Sequence, residues 1–147
     1  MVRPTTFRLR VLSPRHSRVL LVERDHSMAE MYKLSLLLRG FSVDVARDGE
    51  EGIQRVLHGS LPDAVVLDLG LPRVDHQMPR KDGLDMISAL RSLRLTQAVP
   101  VVVLSNDPAS FEDAIDRGAT QCIANWRTTP RDLASKLAHL LGQFDGA

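Results

Sequence analysis

At 147 residues and 44% hydrophobic content, the chain has enough apolar mass for one buried core and too little for a second. The net charge of +1 hides an asymmetry, because Arg3, Arg8, Arg10, Arg15 and Arg18 meet no acid before Glu23: the body is mildly acidic, and a basic leader without interleaved aromatics more often makes a solvated tail than a nucleic-acid site, which leaves nucleic acid a minority reading. No stretch approaches the roughly 18 apolar residues of a membrane helix, and the single cysteine, Cys122, excludes an internal disulfide and points to a reducing, cytoplasmic setting.

The basic stretch 1–17 reads as a flexible leader, with Phe7 as its only aromatic. The domain then runs over 18–142, with a frayed tail at 143–147 and no length left for an output domain. Arg18-Val19-Leu20-Leu21-Val22 is a short apolar run that ends in Glu23-Arg24-Asp25, the pattern of a buried strand. Ser27-Met28-Ala29-Glu30 has the spacing of a capping box, which predicts a helix from there to about Arg39, with Gly40 just beyond. Phe41, Val43 and Val45 alternate with Ser42 and Asp44, as in a half-buried edge strand. Asp48-Gly49 opens a short helix closed by Gly59.

Pro62-Asp63-Ala64-Val65-Val66-Leu67-Asp68 then predicts a fully buried central strand with a carboxylate at its end. In an open parallel sheet ligands gather at that end; the plainer alternative is that Asp68 merely stops the strand or caps the next turn. Leu84, Ile87 and Leu90 give helical spacing over 83–95, with Arg91 and Arg94 on the other side. A fourth strand is expected over 99–104, ending in Ser105-Asn106, and Asp107-Pro108 starts a helix that Gly118 ends. A weaker fifth strand covers 120–124. Thr129-Pro130-Arg131-Asp132 starts a last helix carrying Leu133, Leu137, Leu140 and Leu141. Cys122 lies in an apolar run and reads as a buried structural thiol. Strands alternating with helices predict an α/β, doubly wound, five-stranded parallel sheet.

Three strands thus deliver polar groups to one edge: Glu23, Arg24 and Asp25 from the first, Asp68 from the third, Ser105 and Asn106 from the fourth. Together with Asp82-Gly83-Leu84 and Val99-Pro100-Val101-Val102-Val103-Leu104-Ser105, these segments resemble the receiver domain of two-component response regulators. That resemblance implies a flavodoxin-like fold with strand order 2-1-3-4-5. It further implies phosphoryl transfer from a kinase histidine to Asp68, an acid on strand one, here Glu23, that holds a magnesium ion with Asp68, and Ser105 as the switch hydroxyl; Asp25, one residue beyond the family's second acid position, is a substitute member of the acidic pocket, though a third acid there more often faces solvent. Carboxylate attack on phosphorus needs cations to offset the crowded negative charge.

Several positions depart from the family pattern. Arg24 stands where the family has its second acid, and a fixed guanidinium there is expected to pair with Asp68 or Glu23 and compete with magnesium. Asn125 replaces the lysine, Trp126 the proline after it, Asn106 a small residue, and Cys122 the switch aromatic. The run from Asp68 to Gly83 is longer than the family's by one block, and Asp68–Val74 and Asp75–Lys81 share Asp, Pro and Arg in register, as a tandem copy would. Asp68, which follows the buried strand, is the acceptor on this reading. Asp75 and His76 then fall on an exposed, mobile loop, Arg73 to Lys81.

The leading functional expectation is a stand-alone receiver-like signalling protein with an atypical acceptor pocket and phosphorylation-independent output through protein contacts. Ile123 and Trp126 are its candidate interface, and a sensor histidine kinase, another signalling protein or a second copy its candidate partner. Alternatives are a true phosphoacceptor taking a phosphoryl group on Asp68, and a small-ligand binder of flavodoxin-like fold. A multiple-turnover enzyme is not expected; the most the residues suggest is self-phosphorylation and dephosphorylation at Asp68.

Overall fold

The computed structural model describes residues 16–69 and 80–143. Short Val- and Leu-rich runs form the strands β1 (Arg18–Val22), β2 (Ser42–Ala46), β3 (Ala64–Asp68), β4 (Val101–Ser105) and β5 (Gln121–Ala124). Between and after them lie α1 (His26–Leu38), α2 (Gly49–His58), α3 (Arg80–Ser92), α4 (Ala109–Arg117), a 3-10 turn (Asn125–Arg127) and α5 (Pro130–Leu140). All pairings are parallel, as the alternation of strands and helices predicts, and the order is β2-β1-β3-β4-β5, as the family resemblance implies.

Side-chain alternation along the strands divides the core in two. Val19, Leu21, Val66, Val102, Leu104 and Ile123 face α1 and α5, and Leu20, Val22, Val65, Leu67, Val101 and Val103 face α2, α3 and α4. Strands covered on both sides need apolar residues at every position, which is why β1, β3 and β4 read as unbroken runs. At the edge, β2 is only half-covered, and its alternation of Val with Ser and Asp follows from that.

Local hydrogen bonding shifts several helix ends from where the sequence places them. Asp25, not Ser27, caps α1, accepting the Met28 amide at 2.9 Å. The Asp25 amide is itself tied to Glu23 Oε2 at 2.9 Å, which turns the chain sharply out of β1 and delivers Asp25 to the cap before Ser27 can take it. Asp48 and the Thr129–Asp132 capping box behave as expected. Arg80 and Lys81 belong to the first turn of α3 rather than to the expected loop, and α3 ends at Ser92, where the Thr96 hydroxyl takes the Leu90 carbonyl at 2.6 Å. The remainder of that loop, including Asp75 and His76, lies outside the described residues.

Arg91 fastens this region. Its guanidinium donates to the carbonyls of Gly118 (2.9 Å), Val99 (2.7 Å), Thr96 (3.2 Å) and Gln97 (3.2 Å), and lies 3.4 Å from the Thr120 hydroxyl. It joins the end of α3 to the starts of β4 and β5, and delays β4 to Val101 by engaging the Val99 carbonyl. Gly118 closes α4 at φ +115°, where a Cβ would also stand 2.7 Å from Arg91 Cγ, so glycine is required twice over. Helix α1 is apolar on two sides: Ala29, Tyr32 and Leu36 are buried, while Met31, Leu34, Leu37 and Leu38 are exposed. Among the described residues no helix is long and apolar enough to cross a membrane.

Candidate functional site

The register Val22↔Leu67 makes Glu23 and Asp68 the next pair along the β1–β3 ladder, on the face of the sheet that carries Leu21 and Val66. The Glu23 amide still bonds the Ala46 carbonyl at 2.9 Å, so β2 holds the residue in line. Its side chain is only 5% exposed. One carboxyl oxygen accepts the Asp25 amide, whereas Oε1 is buried without a hydrogen-bond partner. Asp68 lies within hydrogen-bonding reach of the same group.

Two carboxyl groups placed together cannot both ionise cheaply. Burial first, then the hydrogen bond and charge of Asp68, push the Glu23 pKa up to about 9, against the opposing pull of the Asp25 amide. At neutral pH the pair therefore holds a proton or calls for a cation. Tyr32, which sequence reasoning did not single out, reaches this pocket from α1. It is 2% exposed, and burial with the charges of Asp68 and Glu23 pushes its phenol up to about 12. The available signal was its place between Ala29 and Leu36 on the inward face of α1, which marks it as core and says nothing of the acids beside it.

Arg24 does not fill the pocket. It is exposed, and among the described residues it pairs with neither Glu23 nor Asp68. Since Glu23 turns inward, its successor turns out, and a guanidinium keeps its hydration at the rim instead of entering an apolar site. Asp25 likewise corrects the expected acidic pocket: its carboxylate is exposed and caps α1, and only its amide serves the acid pair.

Ser105 ends β4 and is fully buried, one residue beyond the Asp68↔Leu104 pairing. Its Oγ accepts the Asp107 amide at 3.0 Å and lies 3.0 Å from the Ser110 hydroxyl, which donates to the Asp107 carbonyl at 2.7 Å. Asn106 is half-buried. Asn125 opens the 3-10 turn after β5 with its Oδ1 buried and unpartnered. Cys122 sits 3.8 Å from the Phe111 carbonyl, and burial pushes its thiol up, away from nucleophilic reactivity. Ile123 is 9% exposed and packs into the core, so it drops out of the expected interface. Trp126 stays 68% exposed under the Arg127 guanidinium, 5.2 Å from the ring centroid.

No group of three or more Asp, Glu, His or Cys that could hold a metal occurs among the described residues. The unpartnered Glu23 Oε1 beside Asp68 nevertheless fits a divalent cation that takes one or two carboxylates and completes its shell with water. The donor set has the right chemistry and is thin.

Comparison with known proteins agrees with the geometry. Residues 19–137 match the family model for the response regulator receiver domain. The response regulator MprA of Mycolicibacterium vanbaalenii is 38% identical over 104 residues, 69% of this chain and 41% of MprA. The transcriptional regulatory protein DltR of Streptococcus agalactiae is 32% identical over 108 residues, 72% of this chain and 44% of DltR. The chain thus spans less than half the length of these relatives. In three dimensions the chemotaxis response regulator CheY4 of Vibrio cholerae superposes with a TM-score of 0.72 at 22% identity, covering 86% of this chain and 99% of that one. With the acid pair at the carboxyl edge of a 2-1-3-4-5 sheet and a family match over most of its length, the chain belongs to the response regulator receiver domains of two-component signalling.

Proposed function

We propose that this receiver keeps a working acceptor, Asp68, while its output face stays in one conformation whether or not Asp68 is modified. The observation that carries this reading is the hydrogen-bond ring around Ser105. Its hydroxyl is engaged by the Asp107 amide and the Ser110 hydroxyl inside the turn that starts α4. A switch needs contacts that differ between two states. Moving Ser105 toward a phosphoryl group would take from the half-buried Asp107 amide the hydroxyl that caps it, at roughly 1 kcal/mol, while Ser110 keeps the Asp107 carbonyl. No aromatic stands behind it to follow, because that place belongs to Cys122.

Glu23 and Asp68 are the residues that would hold a magnesium ion, whose chemistry is to offset charge on a transferred phosphoryl group. Asp68 supplies the attacking carboxylate oxygen, and Glu23 takes or releases the shared proton as the pocket charge changes. The partners on this reading are a sensor histidine kinase as donor and a protein, a second copy included, docking at Trp126, an exposed aromatic anchor. The reducing cytoplasm suits the lone thiol.

Trp126 is the only tryptophan and so reports on that face directly. Incubation with acetyl phosphate and magnesium is expected to add one phosphoryl group to the intact mass, lost in Asp68→Asn, with no change in Trp126 emission. An emission shift that appears in the wild type and vanishes in Asp68→Asn would restore the ordinary phosphorylation switch. No mass gain at all would remove the acceptor.

A further inference from the structure

We propose that Arg24 is the cation that holds the phosphoryl oxygens on Asp68, so that the clamp has moved from the end of strand five to the turn after strand one. The inference rests on the reading of Asp68 as the acceptor. Three observations lead to it. The first is the polarity of Asn125: the side chain after β5 carries no positive charge, so it cannot offset the charge of a phosphoryl group as a cation would. The second is that Arg24 follows Glu23 directly, while Glu23 is the ladder neighbour of Asp68. Arg24 thus lies in the turn two residues past the end of β1, at the same carboxyl edge of the sheet as Asp68. The third is that the guanidinium is exposed at this edge and bonded to no described residue, so engaging a new anion there breaks nothing.

The inward and outward turns of Glu23 and Arg24 suit different charges. The carboxyl pair lies beneath, where burial has already made a second negative charge costly. A phosphoryl group on Asp68 projects beyond it toward solvent, with about two negative charges at neutral pH. A guanidinium at the rim meets that group without being desolvated beforehand, and its planar fork grips two oxygens at once. With a small acyl phosphate as donor, an Asp68 carboxylate oxygen attacks phosphorus. A new O–P bond forms, the bond from phosphorus to the acyl oxygen breaks, and the electron pair leaves on the released carboxylate. No proton is taken up, and two of the three phosphoryl oxygens are left for Arg24.

Labelling by acetyl phosphate, followed by intact mass, tests this in the wild type, Arg24→Ala, Arg24→Lys, the double variant Arg24→Ala/Asn125→Lys and Asp68→Asn. Beryllofluoride binding, read by fluorine NMR, gives a second measure that needs no chemical step. Arg24→Ala is expected to lower the labelling rate and beryllofluoride affinity by at least about tenfold, as loss of a charged phosphoryl contact does. Arg24→Lys should recover part of this, and the double variant should recover most of it. Equal or faster labelling of Arg24→Ala, at an unchanged thermal midpoint, would overturn the proposal and leave Asp68 as acceptor. A wild type that neither labels nor binds beryllofluoride would remove the acceptor reading and Arg24's role together.

Discussion

Glu23→Gln is expected to raise the thermal midpoint above neutral pH and to flatten its pH profile. The pKa of Glu23 rises from 4.5 to about 9 on folding, so the folded state prefers the protonated group. The associated stability is complete below about pH 4.5 and is lost as pH climbs through about 9. The wild-type protein should therefore weaken steadily across that window, by several kcal/mol on the scale of roughly 1.4 per pKa unit. Glutamine keeps an oxygen for the Asp25 amide and offers an N–H to Asp68, so the variant resembles the protonated form at every pH. Thermal melts in metal-free buffer at intervals from pH 5 to 9 provide the check. Added magnesium should rescue the wild type at high pH and leave the variant unmoved. A flat wild-type profile, or a variant less stable than the wild type at pH 8, would show that the acid pair is not strained.

Arg91→Ala should be the most damaging single change outside the apolar core, at about 3 kcal/mol, or a fall of roughly 10 °C in the midpoint. Few of its acceptors have a substitute. The Val99 carbonyl, 2.7 Å away, and the Gly118 carbonyl, 2.9 Å away, close the turns that launch β4 and end α4. Partial exposure lets water replace the weaker contacts to Thr96 and Gln97, which keeps the figure well below a sum over all the bonds. Arg91→Lys should recover only a minor share, since an ammonium cannot address both chain segments, 96–99 and 118–120, from one plane. Denaturant melts of the two variants decide this; a loss under about 1 kcal/mol in Arg91→Ala would mean that the knot is decorative.

The sheet was legible because its signals are local and redundant. Four apolar runs, each ending in a polar residue, define β1, β3, β4 and β5, and the alternation of 41–45 marks the edge. The first helix start was misread for a reason the sequence hides: Asp25 and Ser27 are equally good caps, and the Glu23 carboxylate, by taking the Asp25 amide, decides between them. Arg24 shows the same limit. The expectation of a quenched acid pair assumed that adjacency means contact, whereas alternation sends neighbouring side chains apart. Ile123 looked like surface because it precedes Trp126, yet one residue is core and the other is not. Arg91 reads as an ordinary exposed cation on a helix, since its carbonyl acceptors come from two separated segments, 96–99 and 118, whose meeting is a property of the fold alone. Tyr32 is the converse, a residue rightly placed in the core whose nearness to two acids only the packed helix reveals.

Helix α1, with leucines and a methionine on its outer side as well as its inner one, has a consequence for how it is oriented. A helix with a single apolar stripe is turned to its proper heading by solvent aversion, as a keel rights a boat. Here water would tolerate a twist about the axis nearly as well as the observed setting, because Leu34 or Leu38 could be buried in place of Leu36. The heading is set instead by the cap at Asp25 and by one bulky ring, Tyr32, buried beside the acid pair. The same turn that closes the acid pair therefore also aims the helix, so the chemistry at the strand ends and the azimuth of α1 share one fastening.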